Sequence, residues 1–224
     1  MKKTLIFIAL ILSCISIGNA KAVELLITDS NGNALNTTTN KLDLGFNPTP
    51  KTISVWLTYS SAEQSAANNN GGLWRGGFIA TPNNADIANI FPPSSSSIIN
   101  PNNQWGAPSY QWDSDTDPRA LFVQVSRAAG QVGLQLDNSL RFLVVQLVVS
   151  PGKSINSSGT DFIFNVPPEA TFAYNGGATA FVPQPQAYSF TVVPEPTTYV
   201  LGVVASGMLG GVGYYRRKKL VKKA

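Results

Sequence analysis

Residues 52–59 read TISVWLTY, with apolar and polar side chains alternating at a period of two. Ile53, Val55, Leu57 and Tyr59 fall on one side, and Thr52, Ser54, Trp56 and Thr58 on the other. Only an extended strand sends alternate residues to opposite faces, because a helix repeats every 3.6. One face of this segment therefore goes inward. Further short apolar runs lie at Val23–Thr28, Leu73–Ala80, Ala120–Arg127, Leu140–Val149, Asp161–Val166, Thr171–Tyr174 and Tyr188–Val193, separated by clusters of Asn, Gly, Pro and Ser. Turn-forming residues between period-two runs are the pattern of strands joined by loops. Within LRFLVVQLVV, Leu143, Val145, Leu147 and Val149 alternate with Phe142, Val144 and Val148, which predicts a central strand covered on both sides. No stretch carries a convincing amphipathic helix. Eight or nine strands then predict an all-β, two-layer antiparallel sandwich or jelly roll over residues 23–193.

Segment 81–119 breaks the pattern. Such a length without periodicity predicts a long loop with one short helical turn around Ala85–Ile90. Its aromatic residues argue against full disorder.

Both ends differ in kind from the middle. Lys2 and Lys3 precede an apolar run from Leu5 to Ile17 and the small-residue sequence GNAKA, the arrangement of a secretory signal peptide over 1–22 cleaved after Ala20 or Ala22. Cys14 in ILSC has an alternative reading as the acylated cysteine of a lipobox, against that of a small hydrophobe inside the apolar run. With the signal removed, no cysteine is left. The sandwich must then be held by its own core, for which about 170 residues suffice. Charge divides in the same way: residues 21–193 hold eight basic and eleven acidic side chains, a net −3, although the whole chain is +4. The middle has no basic stripe to neutralise phosphates, so nucleic acid is not an expected partner.

At the other end, Thr197–Tyr215 contains no charged residue, and at ~1.5 Å per residue a helix of that length nearly crosses a ~30 Å hydrocarbon core. Pro194-Glu195-Pro196 stands directly before it, and the basic segment 216–224 with Arg216, Arg217, Lys218 and Lys219 directly after it. An ordinary stop-transfer anchor with a cytoplasmic basic tail is one reading. Gly207 and Gly211 add a small-xxx-small spacing suited to close helix approach. The three parts in this order resemble the PEP-CTERM sorting signal. That resemblance implies recognition by an exosortase, processing near Pro194–Pro196 while 197–215 holds the chain in the inner membrane, and delivery to the cell surface or an exopolysaccharide matrix. In the middle, ISVWLTYSS, GGLWRGGFIA, LRFLVVQLVV and DFIFNV resemble the strand and loop alternation of a cohesin-type or immunoglobulin-like sandwich. This implies a binding or scaffolding module, and no dockerin-contact residue carries over.

Histidine is absent from the chain. That removes Ser-His-Asp and Cys-His arrangements and histidine-based zinc sites. A carboxylate pair of the glycosidase kind, with Asp113 and Asp115, is the route left to an enzyme acting on polysaccharide. Asp113, Asp115 and Asp117 form the densest acidic group and would suit a calcium ion. The EF-hand pattern fails here, since Pro118 stands where that loop needs glycine and Gln124 where it needs the bidentate glutamate. Turn hydrogen bonds before Pro118 are the plainer reading. Trp74, Trp105, Tyr110 and Trp112 form the second constellation. Trp105, Tyr110 and Trp112, beside Gln104 and Gln111, are candidate sugar contacts, flat rings with hydrogen-bonding neighbours. The alternative is that these rings anchor a long loop. Trp56, in a strand, is expected to pack. Asn36-Thr37-Thr38 and Asn156-Ser157-Ser158 match a glycosylation sequon. The expectation is a non-enzymatic structural or adhesive protein without cofactor, calcium aside, with a carbohydrate-binding module or a carboxylate enzyme as alternatives.

Overall fold

The computed structural model describes residues 23–45, 48–91, 109–113, 120–127, 132–153, 158–183, 185 and 187–193. Twelve strands and one α-helix occur among them. The first sheet has the order β1-β3-β8-β5, from β1 (Glu24–Thr28), β3 (Lys51–Thr58), β8 (Arg141–Pro151) and β5 (Ala88–Phe91). The second is centred on β4 (Leu73–Pro82). One edge of β4 pairs with β7 (Ala120–Ser126), which carries β6 (Ser109–Asp113). Its other edge pairs with β9 (Thr160–Asn165) and β10 (Phe172–Tyr174). Beyond β9 come β12 (Ala187–Val193) and β2 (Leu42–Asp43), and beyond β10 comes β11 (Thr179–Phe181). Every ladder is antiparallel except β2 with β12. The expected two-layer β-sandwich is therefore present.

Between the sheets lies an aromatic core. Phe78, Phe162, Phe164, Phe172 and Phe190 are fully buried. Phe162 stacks on Phe190 at 5.6 Å, and Phe164 sits 5.8 Å from Phe190 and 5.5 Å from Phe78. Inward-facing Ile53, Val55, Leu57, Val145, Leu147 and Val149 complete it from the first sheet, as the alternation in β3 requires.

Four expectations need correction. Leu143, Val145, Leu147 and Val149 do not share a face. Val55 pairs with Val145 and Trp56 with Leu143, so the register shifts at Val144 and the parity of β8 reverses. Phe142 thereby turns inward with Val145, while Leu143 and Val148 are half-buried on the outer side, which no third layer of described residues covers. Secondly, a helix exists: α1 (Ser61–Asn69). Ser60 and Glu63 form a capping box, the Glu63 N–H donating to Ser60 Oγ at 3.3 Å and the Ser60 N–H to Glu63 Oε2 at 2.8 Å. Only Ala67 of α1 is buried, so the helix has no apolar stripe to betray it. Thirdly, Ala85–Ile87 form a turn that leads into β5 rather than a helical turn reaching Ile90. Lastly, segment 81–119 contributes the end of β4 and two whole strands, β5 and β6.

The sandwich has two distinct ends. At one, Val192 pairs with Leu42, the Leu44 N–H donates to the Val193 carbonyl, Asn83 donates to Asp161 and Gly152 to Ile87. At the other, Glu24 pairs with Thr58, Tyr59 donates to Leu140, α1 follows β3, and Leu73 exchanges hydrogen bonds with Leu134. Residues 23 and 193 thus sit at opposite ends. Leu140 there holds φ at +57°, in the left-handed region, and is 40% exposed. A side chain in that region costs about 1–2 kcal/mol. Leu140→Gly is accordingly expected to raise stability by about 0.5–1 kcal/mol, read as a higher urea midpoint with an unchanged slope.

Among the described residues no helix is long and apolar enough to cross a membrane. The signal peptide with Cys14, Pro194–Pro196, the span 197–215 and the basic residues 216–219 lie outside them.

Candidate functional site

Tyr110 occupies the middle of β6 opposite Val123, half-buried and packed on the hydrophobic core. Its hydroxyl is buried with no hydrogen-bond partner among the described residues, and burial pushes its phenol up to about 12. Trp112 holds the position two residues on, opposite Leu121. Asp113 ends β6 opposite Ala120. Trp105, Asp115, Asp117 and Asn156 lie outside the described residues. Among the described residues no three His, Cys, Asp or Glu side chains gather to hold a metal. The sequon at Asn36 is engaged in a turn: its Oδ1 accepts from the N–H groups of Thr38, Thr39 and Asn40, and its Nδ2 donates to Thr39 Oγ1 at 3.1 Å.

A second buried phenol matters at high pH. Tyr59 donates to the Asp137 carbonyl at 3.3 Å, and burial, with the Asp137 carboxylate nearby, pushes it up to about 12. An unfolded phenol ionises near 10. The neutral form is the one the fold favours, so this contribution is complete below about pH 10 and is lost as pH rises towards 12. Stability is expected to fall between urea titrations at about pH 9 and about pH 11.5, and to fall less in the Tyr59→Phe, Tyr110→Phe double variant.

Two tryptophans that strand alternation placed in β3 and β4 each carry an arginine. Trp56 is half-buried on the outer face of the first sheet; its Nε1 donates to Thr28 Oγ1 at 3.0 Å, and the Arg141 guanidinium lies 4.9 Å from the ring centroid. The ring roofs Thr28, which is 1% exposed although it points outward. Packing is what was expected of it.

Trp74 is the more elaborate case. It stands at the start of β4, where Arg127 donates its N–H to the Trp74 carbonyl at 2.8 Å and sets its guanidinium 3.7 Å from the indole centroid. Indole Nε1 donates to the Gly71 carbonyl at 3.3 Å. Next along β4, Arg75 is exposed, with neither ion pair nor hydrogen bond from its side chain among the described residues. The turn Asn175–Gly177 closes against both: a Cβ at Gly176 would touch the Trp74 ring edge at 3.8 Å, and one at Gly177 would lie 3.8 Å from Arg75 Nε. Trp74 is not brought to Tyr110. Tyr110 faces the middle of β7 at Val123, whereas Trp74 faces the continuation of that strand at Arg127, about 13 Å further along. Arg75 and Arg127 carried no motif; RGG after Trp74 and the glycines of YNGG were the only traces of this corner.

Fold and site together define a β-sandwich with two half-buried tryptophans, each faced by an arginine, and, in the whole chain, no histidine. No protein-family model matches the chain, and no curated protein does. Among solved structures, a chain of a type I cohesin–dockerin complex from Clostridium thermocellum is similar at a TM-score of 0.46 and 10% identity, covering 77% of this chain and 100% of that one. The seventh ScaB type I cohesin of Pseudobacteroides cellulosolvens is similar at a TM-score of 0.43 and 9% identity, covering 77% and 93%. The sandwich itself rests on the strand register described above.

Proposed function

We propose that this chain is an exported, non-catalytic surface module, sorted through Pro194-Glu195-Pro196, the apolar segment 197–215 and the basic residues 216–219, and retained in an exopolysaccharide matrix. The observation that carries it is where the packed strands begin and stop. Val23, directly after the GNAKA stretch, is buried, and β12 is hydrogen-bonded up to Val193, directly before Pro194. A self-contained sandwich flanked by two addressing segments is what an exported and sorted cargo needs. A chain without histidine lacks the usual base near neutral pH, which supports a binding rather than a catalytic role. An exosortase would then be a transient partner and the matrix a lasting one.

Two measurements on native protein test this. Intact mass of the mature form should correspond to loss of residues 1–22 and of 197–224; a mass that retains 197–224 overturns sorting and leaves a plain anchor. Cosedimentation with the producing cell's own exopolysaccharide should be saturable, and absence of binding by folded protein overturns the matrix role.

A further inference from the structure

We propose that Trp74, Arg75 and Asn175 form a binding site for a carboxylate-bearing sugar of an acidic polysaccharide, with Arg127 holding the indole in position. The inference deepens the matrix role proposed above by naming a ligand class, and it rests on that role.

Its location is the first argument. The tail follows Val193 at one end of the sandwich, whereas Trp74, Arg75 and the Asn175–Gly177 turn lie at the other, with α1 and the 133–139 segment. A molecule attached near Pro194–Pro196 presents this corner outward. Chemistry is the second. A uronate unit combines an apolar C–H face, ring hydroxyls and a planar carboxylate on one rigid ring. Trp74, half-buried with the Arg127 guanidinium over one face, supplies an aromatic ring, and Arg75 a fork of donors that matches a carboxylate with two hydrogen bonds. The Arg75 side chain meets no acidic partner among the described residues, so the cation is not already neutralised. Asn175 is exposed at φ +53°, and its carboxamide has no hydrogen-bond partner among the described residues, which leaves a donor and an acceptor for sugar hydroxyls.

Space is the third argument. Gly176 and Gly177, directly after Asn175 and both with positive φ, approach the two β4 side chains, and neither places a side chain over the ring edge or the guanidinium. Arg127 and the Nε1 bond to Gly71 fix the indole, so little order is lost on binding. An open corner of this kind suits a unit within a long chain.

The test uses purified full-length protein in detergent, with polygalacturonate as the uronate probe, carboxyl-reduced polygalacturonate as its neutral counterpart, and the producing cell's exopolysaccharide. Saturable binding to polygalacturonate is expected, weakened about tenfold by Arg75→Gln and by Trp74→Ala, and lowered by 0.5 M salt, where the screening length is only a few ångströms (~4 Å). Arg75→Gln changes an exposed side chain and should leave the urea midpoint in place, so its loss of binding is separable from misfolding. Equal binding of the reduced polymer, or binding unchanged in Arg75→Gln, overturns the site. If exopolysaccharide binding persists in both variants while polygalacturonate is not bound, this site is wrong and the matrix role stands. Arg75-dependent binding of polygalacturonate without binding of the exopolysaccharide leaves the site and removes the matrix role.

Discussion

Phe164→Ala is expected to lower the unfolding free energy by about 3–5 kcal/mol. Phe164 is fully buried in β9 between Phe78 of β4 and Phe190 of β12, so truncation removes ring contacts on two sides at once. All three rings belong to hydrogen-bonded neighbours of one sheet, whose backbone is pinned by the β4–β9 and β9–β12 ladders. The cavity cannot collapse far. With no cysteine in the sandwich to form a disulfide, and a domain stability of about 5–15 kcal/mol, one such change removes about a fifth of the total or more. A urea titration of the purified protein measures it; a shift of midpoint worth less than about 1.5 kcal/mol would show that this aromatic layer is not where stability resides.

Gly76→Ala is expected to cost about 2–3 kcal/mol by the opposite route, overpacking. In β4, Gly76 lies beneath the ring of Phe172, and an added Cβ would overlap Cδ1 of that ring. Phe172 is itself fully buried and cannot swing to solvent. The glycine is therefore a seat for a ring. Shortening the ring should relieve the clash: in the Gly76→Ala, Phe172→Leu pair, the double variant should be more stable than the sum of the two single losses, by about 1 kcal/mol or more. Additive losses would mean that β10 shifts bodily away from β4.

How far the sequence reveals these features depends on what carries them. Ile53, Val55 and Leu57 alternate strictly, and their burial follows, because period two admits one arrangement. β8 was legible as a strand but not in its facing. The displaced residue Val144 looks like every other valine in the run, and only pairing with β3 makes it a bulge. Helix α1 has a local signature, Ser60 followed by Glu63, yet no apolar period, since a single alanine faces the core. β5, β6 and β11 are strands of three to five residues, too short to show a period, and β5 pairs in addition with β8 about sixty residues on. For the site, Trp74 stood out by type alone. Arg127, about fifty residues away, becomes its partner through the β4–β7 ladder, a register that composition does not encode. Tyr110 was legible as an aromatic but not as a core-facing one, because that depends on its pairing with Val123.

Asn68 illustrates a different economy. Its side-chain amide donates to the Leu136 carbonyl at 2.7 Å, and its Oδ1 accepts the Leu136 N–H at 2.8 Å, so one carboxamide imitates a neighbouring strand. Gln64 adds a further donor to the same carbonyl at 3.0 Å. Leu136 belongs to the segment that extends the second sheet beyond Leu73, where an open backbone would offer itself to any passing strand. Closing it with a side chain terminates the sheet without adding another edge. Such a stopper keeps a strand of another molecule from pairing on there and knitting copies into fibrils.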